Sequence, residues 1–434
     1  MQTNFSSEQL KDKDNKSSEQ ILRKCVHCGM CNTTCPTFKL LGDELDGPRG
    51  RIYLIQDMLE NEKKPSKNIV KHIDRCLSCY GCMTTCPSNV NYMHIIDHGR
   101  NYIEKNYQRP FFDRILRDAL SKILPNIILF KLMSFAVNLI RPFQIFLPLK
   151  LRNIIQLMPS SFPKKKLKNK EKYSIKSKKR VARVALLTGC VQKELSPQIN
   201  EATIRLLNRH GVEVVVPKKI RCCGSLNHHL GKVDLAHQDF INNINIWYDE
   251  YIKGNLDAII SNTSGCGTTL KDYGFIFRSD KNFKKKAKKI SELTKDITEY
   301  LNENVKLNFI KKQKNEKTYK IAYHSACSMQ HGQKIHDVPI NLIQKTGNEV
   351  LDIPDGHLCC GSAGTYNLLQ SDIANRLLKN KISNIEKIKP QIISTGNIGC
   401  ITQIAQATKI PILHTVEIID WYTGGPKPKI LKDL

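Results

Sequence analysis

The sequence is short of acid. Its 40 Asp and Glu stand against 68 Lys and Arg, a formal net charge of +28 at pH 7. Such a charge fits either an anionic partner or basic residues spread over solvated faces. Basic residues crowd Pro163 to Arg180, where ten Lys and Arg meet the single acid Glu171, and Phe283 to Lys289. Neither cluster interleaves aromatics for base stacking. No helix-turn-helix, RNA-recognition or zinc-finger signature accompanies them. Nucleic acid is therefore not an expected partner, and the first cluster reads as an exposed interdomain linker. The opening MQTNFSSEQLKDKDNKSSEQ is polar and has no apolar stretch of the kind that directs export. A reducing, cytoplasmic setting is expected, and a disulfide framework is not. No G-x-G-x-x-G follows a strand and no Walker A loop occurs, so no site for a nicotinamide, a flavin dinucleotide or a nucleoside triphosphate is expected.

Cysteine, by contrast, is abundant and patterned. Eight of the 16 fall in two copies of one run: Cys25, Cys28, Cys31, Cys35-Pro36 and Cys76, Cys79, Cys82, Cys86-Pro87. Three thiolates at two-residue intervals, with a fourth before proline, form the pattern of bacterial two-cluster ferredoxins, in which the fourth cysteine ligates the other cluster. The expected sets are Cys25, Cys28, Cys31 and Cys86 on one [4Fe–4S] cluster, and Cys35, Cys76, Cys79 and Cys82 on the other. Gly29 and Gly81 suit the tight backbone turn around a cluster. Zinc favours pairs of cysteines drawn from separate places, and buried structural cysteines have no reason to repeat one spacing twice.

The chain divides into a disordered 1–20, a helical two-cluster domain at 21–105, an apolar helical segment and basic linker at 106–180, and two α/β domains at 181–300 and 318–425. In the apolar segment Ile115, Leu116, Ala119, Leu120, Ile123 and Leu124 share one helical face, and prolines at 110, 125, 142, 148 and 159 break the stretch. The uncharged run between Lys131 and Arg141 is nine residues, against the roughly twenty of a spanning helix. The segment reads as a connector packed between domains, with a helix lying in a membrane interface as the alternative.

The last two domains repeat. RVALLTGC ends at Cys190 and YKIAYHSAC at Cys327; after 31 residues in each case comes a Cys-Cys-Gly triplet, Cys222-Cys223-Gly224 or Cys359-Cys360-Gly361. A third strand then leads to Cys266 or Cys400. Strands alternating with helices argue for parallel sheets, which place ligands beyond their carboxyl edge. Each set of four thiolates suits a further iron–sulfur cluster, zinc, or free thiols. His228, His229, His324 and His357 lie close enough in sequence to ligate or to support.

The order of parts resembles the iron–sulfur subunits of bacterial glycolate oxidase. The resemblance runs from about Arg23 to Pro426 through CVHCGMCNTTCPTFKLLGDELDGPRGRI, CLSCYGCMTTCP, GHLCCGSAGTYNLL, GNIGC and HTVEIIDWYTGGP. It implies an α+β multidomain fold and two [4Fe–4S] clusters on the eight N-terminal cysteines. It also implies two flavoprotein-type partner subunits that oxidise glycolate to glyoxylate, and a quinone or other acceptor at the membrane. A peripheral position on the cytoplasmic face of the inner membrane follows. Related layouts serve lactate and glycerol-3-phosphate dehydrogenases. In the B subunit of heterodisulfide reductase each Cys-Cys-Gly domain ends in C-x-x-C. Here Thr263 and Asn397 stand in place of that extra cysteine, which departs from a heterodisulfide-type catalytic subunit.

Overall fold

A computed structural model describes residues 1–146, 152, 155, 171–173, 175, 180–310 and 317–431. Most of the basic stretch Pro163 to Arg180 lies outside the described residues.

The N-terminal unit is helical. Helices α1 (Lys13–Arg23), α2 (Pro48–Glu60), α3 (Lys67–Asp74) and α4 (Tyr92–Asn106) bury Leu22, Ile55, Ile73, Ile95 and Ile96 in one core. A Cβ at Gly99 would meet Ile55 at 2.9 Å, so glycine permits the close crossing of α2 and α4. Helix α1 lies where the sequence suggests disorder. Asp12 caps it by accepting from the amides of Asp14 and Asn15, and Ile21 and Leu22 are buried; two apolar side chains and one cap outweigh a polar composition.

Helices α5 (Phe111–Ile123) and α6 (Ile127–Ile140) form a hairpin, with α6 continued by a 3-10 stretch to Phe146. Arg109 and Arg117 fasten it to the first unit through Asp74, at 2.7 and 2.8 Å. The hairpin corrects the packed-connector reading. Phe111, Phe112, Ile128, Leu132, Phe135, Leu139 and Phe143 are all exposed. Pro142 does not end the helical stretch, since a 3-10 turn needs no amide at its first position. Ile127–Phe146 is, by length and composition alone, long and apolar enough to cross a membrane, and most of it is exposed. Yet Phe130 and Ser134 are buried, and Lys131 pairs with Glu194 at 2.9 Å, so one face of α6 lies on the protein body.

Two small sheets follow. The first comprises β1 (Lys172–Tyr173), β2 (Ala182–Leu187), β3 (Val212–Val215), β4 (Ala258–Ser261) and β5 (Thr294–Asp296), ordered β1-β3-β2-β4-β5. Only the β1 pairing is antiparallel. The second comprises β6 (Lys320–Tyr323), β7 (Glu349–Leu351), β8 (Ile392–Thr395) and β9 (Ile412–His414), ordered β7-β6-β8-β9 and wholly parallel. Apart from β1 the two orders are the same. Val184 pairs with Val214 and Ala258 as Ile321 pairs with Val350 and Ile392. Each half ends in a short strand running into a capping box: Asp296 with Glu299, and His414 with Glu417. The halves share a core that includes Val184, Leu207, Leu342, Val416 and Ile419. Arg205 and Arg209 of helix α7 (Pro197–Arg209) meet Asp420 across it.

Candidate metal centres

The first ferredoxin-type run is compact because its residues turn left-handed at fixed places. His27 and Gly29 have φ of 53° and 80°; Ser78 and Tyr80 have 49° and 61° at the matching places of the second run. In the second run the left-handed residue is therefore Tyr80, not the expected Gly81. The demand on Gly81 is close approach, since a Cβ there would sit 3.3 Å from the Thr34 carbonyl.

These turns aim the thiols inward. Cys25, Cys28, Cys31 and Cys86 line one small pocket. Burial pushes the Cys31 thiol up to about 11, and the thiols of Cys25, Cys86 and Cys28 add to it. Cys35, Cys76, Cys79 and Cys82 line a second pocket, and burial, then Cys79 and Cys76, push Cys82 well up. Crowded sulfurs with no cation among them hold their protons; a metal supplies the missing positive charge and drives the protons off. The donor set, soft and four to a pocket, fits a cluster in both places.

The second pocket is the better furnished with donors. The Tyr92 hydroxyl lies 3.6 Å and the Ser78 amide 3.5 Å from Cys76 Sγ. The buried Arg51 guanidinium, held by the His72 carbonyl at 2.8 Å, reaches to 3.9 Å from Cys35 Sγ. The first pocket is the one nearer solvent: Cys28 is exposed, and so are Val26 and Met30 around it.

Beyond the carboxyl edges of the sheets the other eight cysteines gather in two further sets. Cys190 and Cys222 Sγ are 3.6 Å apart, and Cys327 and Cys359 Sγ 3.8 Å. Cys266 and Cys400 lie in the first turn of helices α8 (Ser264–Ile276) and α9 (Ile398–Ala405) rather than on the strands before them. A helix N-terminus favours the thiolate there. In both triplets the glycine makes the turn: Gly224 and Gly361 have φ of 77° and 90°, and a Cβ on Gly361 would stand 2.5 Å from the Ala374 carbonyl. Hydrogen bonds from Cys359 and Cys400 hold the Cys360 thiol well below its usual range; at the matching Cys223 of the first half the bond with Cys222 also lowers the thiol, but the bond with Cys266 and burial push it well up.

Among the four histidines near these loops, His324 stands apart. It is buried, and one ring nitrogen lies within 4.8 Å of the sulfurs of Cys360 and Cys400. By strand register the matching residue of the first half is Leu187. His228 and His229 turn away instead, to the Asp97 carboxylate at 3.5 and 2.9 Å.

The units are seated so that the sets adjoin. Tyr366 donates to the Arg75 carbonyl at 3.0 Å, and Thr84 bonds His331 at 2.8 Å. Burial, then the neighbouring thiol of Cys327, pushes Cys79 well up. The second ferredoxin-type pocket thus abuts the second Cys-Cys-Gly set. Both Cys-Cys-Gly sets open on a single cavity of about 560 Å³.

Residues 21–90 match the family model described as a 4Fe-4S dicluster domain, and residues 184–271 and 321–405 each match that of a cysteine-rich domain. The chain is similar to the glycolate oxidase iron-sulfur subunit of Escherichia coli strain K12, 39% identical over 97% of this chain and 98% of that protein. It is also similar to lactate utilization protein A of Geobacillus sp. strain WCH70, 24% identical over 55% of this chain and 99% of that protein. Among solved structures, a hypothetical protein from Helicobacter pylori superposes with a TM-score of 0.55 at 9% identity, covering 96% of this chain and 74% of that one. That last likeness concerns the fold alone.

Proposed function

The chain belongs to the family of glycolate oxidase iron-sulfur subunits, and we propose that it is the electron-transfer subunit of a complex that oxidises glycolate to glyoxylate. The observation that carries this reading is the gathering of all 16 cysteines into four adjoining sets of four. Cys25, Cys28, Cys31 and Cys86 hold one [4Fe–4S] cluster; Cys35, Cys76, Cys79 and Cys82 hold the other. The Cys-Cys-Gly sets hold further metal, as an iron–sulfur cluster or zinc. Bound there, clusters supply the single-electron chemistry that protein side chains lack. The residues around the second set keep water from its sulfurs and, through Arg51, Tyr92 and the Ser78 amide, offer donors to it.

Oxidising a 2-hydroxy acid removes two electrons and two protons, which calls for a flavin or nicotinamide. Two flavoprotein-type partner subunits carry the flavin and the substrate in this reading. The exposed Cys28 with Val26 and Met30 is the natural side for them, because the first set is the one that reaches the surface. The acceptor is a quinone or another carrier at the membrane. A peripheral seat on the cytoplasmic face of the membrane is supported by the exposed apolar face of the α5–α6 hairpin and by the positive charge of the chain.

Anaerobic purification together with the flavoprotein partners tests the reading. At least about eight irons per chain are expected, and glycolate should bleach the cluster absorbance of the assembled complex. Fewer irons, or no bleaching by glycolate, refutes it.

A further inference from the structure

The cavity between the two Cys-Cys-Gly sets has three kinds of wall. Thiols of both halves form one. The α5–α6 hairpin forms another with Leu116, Ala119, Leu120, Ile123, Phe130 and Met133, and it carries no cysteine. The third is the back of the second ferredoxin-type run, where Tyr80 lies. At about 560 Å³ the volume is that of a small-molecule site.

Tyr80 is odd in two ways. It takes a left-handed backbone, φ 61°, at the place where the first run has Gly29. A bulky side chain in that region is strained, and such strain collects at binding sites. Its hydroxyl is also buried without a hydrogen-bond partner, at 3% exposure of the residue, and a buried hydroxyl left unpaired is costly. The buried Asp97, whose charge Tyr80 feels, bonds His229, itself on the cavity wall, at 2.9 Å.

We propose that this cavity is the binding site for a lipophilic quinone, entered past the α5–α6 hairpin. This deepens the electron-transfer reading and rests on it. The Tyr80 hydroxyl donates to one quinone carbonyl, the hairpin side chains hold the ring and the first part of its tail, and the His229–Asp97 pair is placed to pass protons. The hairpin is the link to the lipid. Its inner face lines the cavity while its outer face, with Ile128, Leu132, Phe135 and Leu139, is apolar and exposed. A soluble protein carrier would need no apolar chamber, and a polar disulfide would gain little from a wall of six apolar side chains. The stoichiometry closes: quinone takes two electrons and two protons to become quinol, and a 2-hydroxy acid gives up two electrons and two protons on becoming a 2-oxo acid.

The full chain, purified anaerobically with its metal, is irradiated with a short-chain azidobenzoquinone, and its dissociation constant is read by equilibrium dialysis. Label is expected in the peptides around 116–133 and 76–80. Ala119→Trp and Met133→Trp should each cut labelling at least about fivefold, and Tyr80→Phe should raise the dissociation constant about tenfold, one lost hydrogen bond. Iron content and circular dichroism confirm that each variant is folded, and two independent positions guard against one collapsing. Label elsewhere, or label unchanged in both tryptophan variants, overturns the proposal. So does a small organic disulfide that binds in the cavity where the quinone does not. Glycolate-driven reduction of a soluble dye by the wild-type complex is scored separately: if it succeeds while quinone binding fails, the acceptor site falls and the electron-transfer reading stands.

Discussion

The two halves put different side chains at one place, Leu187 at the end of β2 and His324 just after β6. The sequence offers His324 together with His228, His229 and His357 and has no means of separating them, because proximity in sequence to a triplet does not say which way a ring faces. Folding separates them: His324 alone brings a nitrogen within 4.8 Å of two of the cysteine sulfurs. His324→Leu should make the second half like the first. Metal held by Cys327, Cys359, Cys360 and Cys400 should bind about 10- to 100-fold more weakly, while the signals of the two N-terminal centres stay. Metal analysis with EPR reads this. Tyr92 offers a second test, because its hydroxyl at 3.6 Å from Cys76 Sγ stabilises added negative charge. Tyr92→Phe should lower the reduction potential of the second centre by roughly 40 mV, one hydrogen bond of about 1 kcal/mol in a one-electron couple, as seen in an EPR-monitored redox titration. Asp296 is a stability group. Burial pushes its carboxyl up to about 6 although the Thr298 amide and hydroxyl oppose it. A carboxyl with a raised folded value contributes most below its unfolded value near 3.9 and loses that contribution as pH rises through about 6. Asp296→Asn keeps the helix cap and removes the ionisation. It should flatten the fall in thermal stability between pH 4 and pH 8, by at most about 3 kcal/mol.

At the scale of elements, the repeat was legible because Cys spacing and β-branched strands mark it twice. The last strand of each half was not. Thr294-Lys295-Asp296 and Ile412-Leu413-His414 are three residues long and carry no alternation, so only their parallel pairing to β4 and β8 makes them strands. The α1 helix was hidden for a similar reason: its polar residues say little, and its two buried apolar side chains, Ile21 and Leu22, find their partners only in the fold. The α5–α6 hairpin is the larger miss. Its prolines read as breaks, yet Pro125 sits in the turn and Pro142 at the entry to a 3-10 stretch. The result is an apolar ridge facing outward where a buried connector is expected. Each large apolar side chain taken from water is worth about 1.5–3 kcal/mol. Replacing Leu132, Phe135 and Leu139 together by Ser should therefore weaken partition to vesicles of anionic lipid at least about a hundredfold. A flotation assay measures it, and unchanged partition removes the hairpin from the membrane contact.

At the scale of the whole molecule, the four cysteine sets form a path with two unlike ends. One end is the set at Cys28, open to solvent through exposed Cys28, Val26 and Met30. The other is the cavity shared by the Cys-Cys-Gly sets, closed by the hairpin. Between them Cys82 feels the thiol of Cys31, and Cys79 that of Cys327, so each set neighbours the next. Spacing alone suggests which cysteines go together but not which sets touch, because contact between units is made by residues that carry no motif, such as Tyr366 on the Arg75 carbonyl. An exposed sulfur ringed by apolar side chains is suited to a partner that brings electrons, since an interface there dries the rim and shortens the gap. Val26, 66% exposed, and Met30, 52% exposed, stand on the outside of the isolated chain. Val26→Asp with Met30→Asp should leave folding and iron content intact, because both side chains already face water. If the proposed flavoprotein partners dock here, it should weaken their association by about 3 kcal/mol or more, since each residue would set a charge in the desolvated centre of the contact. The measurement is co-purification followed by titration calorimetry. Glycolate-dependent reduction of the clusters should fall with binding and recover at high partner concentration. Loss of reduction without loss of binding would instead mean that the rim tunes the cluster and does not dock the partner.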